Sequence, residues 1–249
     1  MIQLPQEPKV ISKSDNKASF EIGPLYPGYG ITVGNALRRV LISSISGAAV
    51  TSVKIKDVDH EFSTISGVME DVLEIISNLK RVRFKIFSDE TVTLVLTSKG
   101  AGDVTARDIE ESSSVEVVNP DQKIATITDK KTALSMEIKI EKGVGYVPVE
   151  QRHKDKLTVG EIAIDGIFTP IRNVHFTVEN IRVGQRTDYN KIVLDVETDG
   201  SISPEETLKI ASRILLDHFE IINSVHVPEN ETAKTKIPKE KKSKKKKSE

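Results

Sequence analysis

The residues of this chain nearest to a known chemistry are three glycines, Gly28, Gly30 and Gly34, in "GYGITVGNALRRVLISSISG". A glycine-rich turn that opens a helix can cradle phosphate, because backbone N–H groups converge there and the helix dipole favours an anion. The spacing here is G-x-G-x-x-x-G, one residue longer than the dinucleotide fingerprint, and no acidic ribose ligand can be placed after it. The Lys–Ser/Thr ending of a P-loop is missing too. "PGYGI" therefore reads as a tight turn delivering the chain into a helix, with Thr32 as the expected N-cap.

The other reactive residue types form no constellation. His60, His153, His175, His218 and His226 lack metal-ligand spacing, and the nearest pair, His218 and His226, is split by the end of a helix. No cluster of carboxylates stands out as a two-metal site. The serines of "SSISGAA" and "TISGVM" are not in a G-x-S-x-G elbow. No nucleophile, base and orienting residue occur together, so the expectation is a protein that works by contact, with no catalytic residue, metal or cofactor of its own.

Composition sets the frame for those contacts. At 249 residues the chain holds one large or two small domains, and 37% hydrophobic content is globular in character. No apolar run approaches the roughly 20 residues that span a bilayer, and "MIQLPQEPKV" is not a secretory signal. The absence of cysteine rules out disulfides, thiolate zinc sites and a cysteine nucleophile. Without a signal, the cytosol is the expected compartment.

The net charge of −1 hides an asymmetry. Residues 228–249 hold nine Lys and four Glu, a net of +5, which leaves 27 basic and 33 acidic residues and a net of −6 for the rest. The tail "PKEKKSKKKKSE" has nothing apolar to bury and is expected to be disordered, serving either solvation or a loose pull toward nucleic acid.

Periodicity supplies the elements. Residues 18–25 and 50–56 read as strands flanking the first helix, and "GVMEDVLEIISNLKRV" as a second helix. In that helix Val68, Val72, Ile75, Ile76 and Leu79 form one stripe, with Glu70, Asp71, Glu74 and Asn78 opposite. "RVRFKIF" and "TVTLVLTS" alternate around "SDE" and predict a hairpin, while residues 99–114 read as loops. "ALSMEIKIEKG" is a strand with Leu134, Met136, Ile138 and Ile140 inward, followed by the turn "GVGYVP". "GEIAIDGIF", "NVHFTVENIRV" and "NKIVLDVETDG" are further strands.

Two helices carry more apolar surface than one core needs. In "SPEETLKIASRILLDHFEIINSV", Ser203, Pro204 and Glu206 form a capping-box start. Its apolar residues spread over roughly 240° of the circumference, where a one-sided helix needs little more than about 100°. Such a helix is covered on two sides, either by a second copy of the chain or within a larger core. In the first helix Val33, Ala36, Leu37, Val40, Leu41 and Ile45 make an apolar face. Ile42 falls opposite, between Arg38 and Arg39, the mixed apolar and guanidinium composition of an interface.

"TVGNALRRVLISSISGAAVTSVKI", "HEFSTISGVMEDVLEIISNLK", "GYVPVEQR" and "VGQRTDYNKIVLDVETDGSISPEE" resemble, in order, the N-terminal assembly domain of the α subunits of bacterial and plastid DNA-directed RNA polymerases. The resemblance implies an α+β fold in two parts. Residues 1–46 and 171–227 would form a dimerisation subdomain with helices on an antiparallel sheet, and residues 47–170 an inserted, mostly β subdomain. It implies a homodimer on which the β and β′ subunits assemble, with Mg²⁺ and phosphodiester chemistry in those partners. By the same resemblance Arg38, Arg39, Ile42 and Glu74 would face β. Lys80, Ile164 and Gln185, Arg186, Thr187 and Asp188 would face β′. The dimer seam would hold Val33, Leu37, Val40, Leu41, Leu208, Leu215, Phe219 and Ile222. The family usually continues into a small DNA-binding helical domain. No apolar periodicity follows Val227, and the expectation is a natural lack of that domain, with the lysine tail as a nonspecific DNA contact. The expected location is the nucleoid-associated cytoplasm or the plastid stroma.

Overall fold

Two separate hydrophobic cores organise the chain in the computed structural model, which describes residues 4–152 and 158–225. The fold is α+β, with mostly antiparallel sheets. The first part of the chain runs β1 (Lys9–Lys13), β2 (Lys17–Leu25), α1 (Tyr29–Ser44), β3 (Ser46–Ile55) and α2 (Val72–Leu79). Then follow β4 (Phe84–Ile86), β5 (Val92–Lys99), β6 (Gly102–Thr105), β7 (Val115–Val117), β8 (Lys123–Ile127) and β9 (Ala133–Val144). The last part is β10 (Tyr146–Val147), β11 (Glu161–Ala163), β12 (Gly166–Ile167), β13 (Ile171–Val183), β14 (Arg186–Thr198) and α3 (Pro204–Asn223).

One core lies between the sheet β1-β2-β14-β13 and the two helices α1 and α3. Alternation builds it: Ala18, Phe20 and Ile22 from β2 and Ile192, Leu194 and Val196 from β14 point to the helices. The opposite face of the sheet is a charged ladder, in which Lys17 meets Glu197 at 3.0 Å and Lys191 lies 2.9 Å from Glu179 and 3.4 Å from Glu21. An antiparallel sheet with one dry and one wet face is the outcome of that strict alternation.

The start of α1 corrects the expected Thr32 cap. The helix begins at Tyr29, its N-cap is Gly28 with φ 87°, and its capping acceptor comes from another element. Asn190 of β14 turns its Oδ1 to accept the N–H groups of Gly28 at 2.9 Å and Gly30 at 3.2 Å. Its Nδ2 donates to Asn180 Oδ1 at 3.1 Å, which fixes the amide's orientation. A Cβ on Gly30 would lie 2.6 Å from Val178 Cγ1, and one on Gly34 would lie 2.5 Å from the Phe176 ring. Gly30 and Gly34, one turn apart, thus let the helix backbone settle onto β13 and β14.

The second core belongs to the sheet β5-β9-β3-β4-β7, with β11 also paired to β3 and with α2 packed on it. β9 has Leu134, Met136, Ile138 and Ile140 inward as its alternation predicts. The expected hairpin does not form: β4 pairs with β3 and β7, whereas β5 pairs with β9. "SDE" lacks the Asn-Gly or Gly chemistry of a two-residue turn, so nothing local holds the two strands together, and each is claimed by a longer-range partner. Residues 99–114 are not all loop either. They include β6, paired with β8, and a 3₁₀ turn, with Val104, Ala106 and Ile109 buried.

The helix expected from residue 67 starts only at Val72, after Asp71 as N-cap. Before it the chain is extended enough for Val68 to bridge Ile127 and for Met69 N–H to bond Thr126 O at 2.9 Å. Glu70 is consequently not on an exposed face but buried at 5% exposure. Its carboxylate accepts Thr126 N–H at 2.6 Å and Thr126 Oγ1–H at 2.9 Å, with Lys123 Nζ at 3.5 Å. The two cores meet at Arg83 of the insertion and Asp199 of the β14–α3 turn, a 3.7 Å pair whose side chains are both largely buried.

Gly34→Ala is expected to cost about 1–3 kcal/mol, because the new methyl would collide with the Phe176 ring; urea unfolding measures it. Burial, the largest influence on Glu70, pushes its pKa up, yet the Thr126 hydrogen bonds and the Lys123 charge hold it below the ordinary glutamate value. Its stabilisation is therefore present above the unfolded pKa of about 4.3 and is lost as pH falls through the lower native value. Glu70→Gln is expected to lower stability at pH 7 and to flatten the fall of melting temperature below about pH 4.3, as thermal unfolding across pH would record.

Candidate functional site: assembly surfaces

With α1 seated by its glycines and by Leu37 and Leu41, the opposite face looks outward. It carries Ile31, Asn35, Arg38, Arg39 and Ile42, all exposed, with Ile42 46% accessible. The arginine ion pairs among the described residues are those of Arg83, Arg107, Arg152, Arg186 and Arg213, so Arg38 and Arg39 hold none there. Two unpaired guanidinium groups around an apolar side chain can take both a hydrophobic and a carboxylate or carbonyl contact. Ile31 is an addition to the expected residues, and its 31, 35, 38, 42 spacing was the available signal.

The residues expected at the dimer seam divide into two groups. Leu37, Leu41 and Leu208 are buried in the protomer's own core, and Val33, Val40 and Leu215 are half-buried against it. The protomer's own core already covers Leu37 and Leu41 of α1 and Leu208 of α3, which leaves almost none of their side-chain surface to another copy. Phe219 and Ile222, 58% and 66% accessible, lie in the last turns of α3 with exposed Leu216 and Ile221, and exposed Val225 follows the helix. Ser203 Oγ accepts Glu206 N–H at 3.3 Å to start that helix, so it is anchored at one end and bare at the other.

Glu74 is exposed on α2, next to exposed Leu73, with Met69 and Phe62 exposed just before the helix. Sequence reasoning missed these three, because Met69 and Leu73 fall between the two stripes of the helical projection and Phe62 lies before the expected helix. Lys80 and Ile164 are engaged internally. Ile164 is 1% exposed, turned into the insertion's core, which corrects its expected role as a side-chain contact. Lys80 Nζ pairs with Asp165 Oδ2 at 3.0 Å.

Gln185, Arg186, Thr187 and Asp188 sit together at the tip of the β13–β14 hairpin, where Gly184 takes φ 62°. Arg186 forks onto Asp188 with bonds of 3.0 and 2.8 Å. Its guanidinium also lies 5.5 Å from the Tyr26 ring centroid and 5.6 Å from that of Tyr189. The bond to Asp188 leads the influences that raise the Arg186 pKa, and the same bond holds the Asp188 carboxyl below its usual range. The tip is a charged, aromatic surface near the start of α1, where Tyr26 meets Tyr29 edge to face at 6.1 Å.

Among the described residues no group of His, Asp and Glu could hold a metal ion, and no helix is long and apolar enough to cross a membrane. At the α1 N-terminus, the one place where phosphate chemistry was conceivable, the N–H groups of Gly28 and Gly30 bond Asn190 and that of Tyr29 bonds the Tyr26 carbonyl. His153, His226 and the lysine tail at 228–249 lie outside the described residues.

Residues 53–169 match the family described as RNA polymerase Rpb3/RpoA insert domain. The chain is 47% identical over 230 residues to a DNA-directed RNA polymerase subunit alpha of Roseiflexus castenholzii, covering 92% of this chain and 71% of that one. It is 48% identical over 219 residues to the protein of that name in Symbiobacterium thermophilum, covering 88% and 69%, respectively. Against that of Chlorobium phaeobacteroides strain DSM 266 the identity is 54% over 197 residues, or 79% and 60% of the two chains. The chain belongs to the DNA-directed RNA polymerase alpha subunit family.

Proposed function

We propose that this subunit homodimerises through the outer turns of α3 and that the dimer is a non-catalytic platform on which the two large polymerase subunits, β and β′, assemble. The observation that carries this reading is the pair of unsatisfied helix faces on one core. The last turns of α3 expose Leu216, Phe219, Ile221 and Ile222, with Val225 exposed just past the helix, while α1, packed on α3, exposes Arg38, Arg39 and Ile42. A contiguous apolar face of this kind is costly in water and marks an interaction surface. An isologous contact between two copies of α3 would cover it symmetrically.

Arg38, Arg39 and Ile42 then form the contact for β, with Glu74 on α2 beside the exposed Leu73. The hairpin tip Gln185–Asp188 is assigned to β′. Its Arg186–Asp188 fork, already locked against two tyrosines, presents fixed donors and acceptors at little entropic cost. Phosphodiester chemistry and its Mg²⁺ are assigned to the large subunits, since the surfaces of this chain offer contact rather than a reacting constellation.

Arg39→Ala is expected to weaken capture of β by about thirtyfold, the effect of truncating a central interface arginine worth about 2 kcal/mol, with the dimer intact. Pull-down titration with purified β reads it, and unchanged capture removes Arg39 from the contact. Phe219→Asp is expected to convert the dimer to a folded monomer in sedimentation velocity, with the circular dichroism spectrum unchanged. A persistent dimer would move the seam away from α3.

A further inference from the structure

The chain crosses between the two cores twice, and the crossings meet at one residue. Ile45 lies in the core of α1 and α3 and Ala48 in that of the insertion; on the return, Ile164 lies in the insertion's core and Ile171 in the other. Phe168, 4% exposed, belongs to neither. Its ring and carbonyl lie over a cross-strand pair of glycines, Gly47 of β3 opposite Gly143 of β9. A Cβ on Gly143 would lie 2.7 Å from the Phe168 ring, and one on Gly47 would strike the Phe168 carbonyl oxygen. The N–H groups of Phe168 and Thr169 both bond the Gly145 carbonyl, at 2.9 and 3.2 Å. The residue thus fills the space that two missing side chains leave free.

A second tie between the cores is polar. Asp199, in the β14–α3 turn, donates its N–H to the Pro170 carbonyl at 2.9 Å and is so fixed to the returning crossing. Its Oδ2 lies 3.7 Å from Arg83 Nε, while Oδ1 accepts the N–H and hydroxyl of Ser201 at 3.0 and 2.6 Å. Arg83 is held in turn by its backbone. Its N–H bonds Asn119 Oδ1 at 2.7 Å, and its carbonyl accepts Val118 N–H at 2.8 Å. Burial leads in pushing the Arg83 pKa below its ordinary value; Asp199 opposes that and Arg172 adds to it. Without the Asp199 charge, a largely buried guanidinium beside Arg172 would be unpaired, and opening the junction would return it to water.

We propose that Phe168 and the Arg83–Asp199 pair set the angle between the two cores, and so act as positioning residues for one partner held by both. The proposal rests on the platform reading above, in which β takes Arg38, Arg39 and Ile42 from α1 and Glu74, beside Leu73, from α2. α1 packs in one core through Leu37 and Leu41, and α2 in the other through Val72, Ile75 and Leu79. The two halves of that contact are therefore carried by different units. The second half acts at full strength only where the junction holds it within reach of a partner already seated on the first. Units that share no apolar core move relative to one another by default. The glycine-seated Phe168 and the buried ion pair are what restrict that motion here.

The chain has no cysteine, so a pair of spin labels can be placed at Ser14→Cys and Lys131→Cys, one exposed site on each unit. The purified homodimer, labelled and diluted with unlabelled chain, is measured by double electron–electron resonance and, unlabelled, titrated with purified β. Asp199→Asn removes the charge and leaves an acceptor for Ser201, while Phe168→Leu leaves the glycine pair poorly covered. Each is expected to broaden the label distance and to weaken β binding about tenfold. In a Leu73→Asp background, where the α2 half is already lost, neither is expected to weaken β binding further. A tenfold loss in that background too would overturn the proposal, because the residue would then act on β or on the α1 face directly. Unbroadened distances would overturn it equally, as would lost amide protection within α1 or α2, since a core rather than the angle would then be disturbed. If the wild-type dimer takes no β, the platform reading fails on its own, and the label distances still decide whether Asp199 and Phe168 set the angle.

Discussion

The seat of α1 on its sheet is the constraint from which the rest follows. Gly30 and Gly34 bring the helix backbone against Val178 and Phe176 so closely that a single added methyl would collide. Asn190, held by Asn180, accepts the N–H groups of Gly28 and Gly30. With the helix fixed in depth and rotation, Leu37 and Leu41 point into the core, and Arg38, Arg39 and Ile42 point out of it. A looser seat would leave the same side chains on the same helix but blur the direction in which they act, and rigid presentation is what keeps the ordering cost of an interface low.

The opposite helix illustrates a division of labour along one element. The start of α3 is capped by Ser203 and closes the core with Leu208 and Ala211, while the last turns expose large apolar side chains. The outer face of the sheet carries half-exposed charged pairs, and the exposed apolar residues of α1 and α3 lie on the helical side of this core. The insertion adds polar fasteners: Arg83–Asp199 between the cores, and Lys80–Asp165–Val149 within it.

Legibility in the sequence followed the range of the interactions involved. Alternation in β9, β13 and β14 and the capping of α3 are local signals and were readable as such. The hairpin expected around "SDE" was not real, because alternation fixes which face a strand buries but not which strand lies beside it. Glu70 was misplaced because a cross-strand partner, Thr126, competes with the helix for that stretch of backbone. The same limit applies to the surfaces. Arg38, Arg39 and Ile42 could be placed outward from helical spacing alone, whereas the burial of Leu37, Leu41 and Ile164 depends on sheets assembled from distant segments. The glycine triplet shows both sides of this: its spacing excluded a nucleotide loop, but only Phe176 and Val178 reveal what the missing side chains make room for.

The most direct test of the platform is the light-scattering mass of the complex formed when this chain is co-expressed with the β subunit from the same source. The account predicts a mass equal to two copies of this chain plus one β. A monomer that leaves β unbound would contradict it.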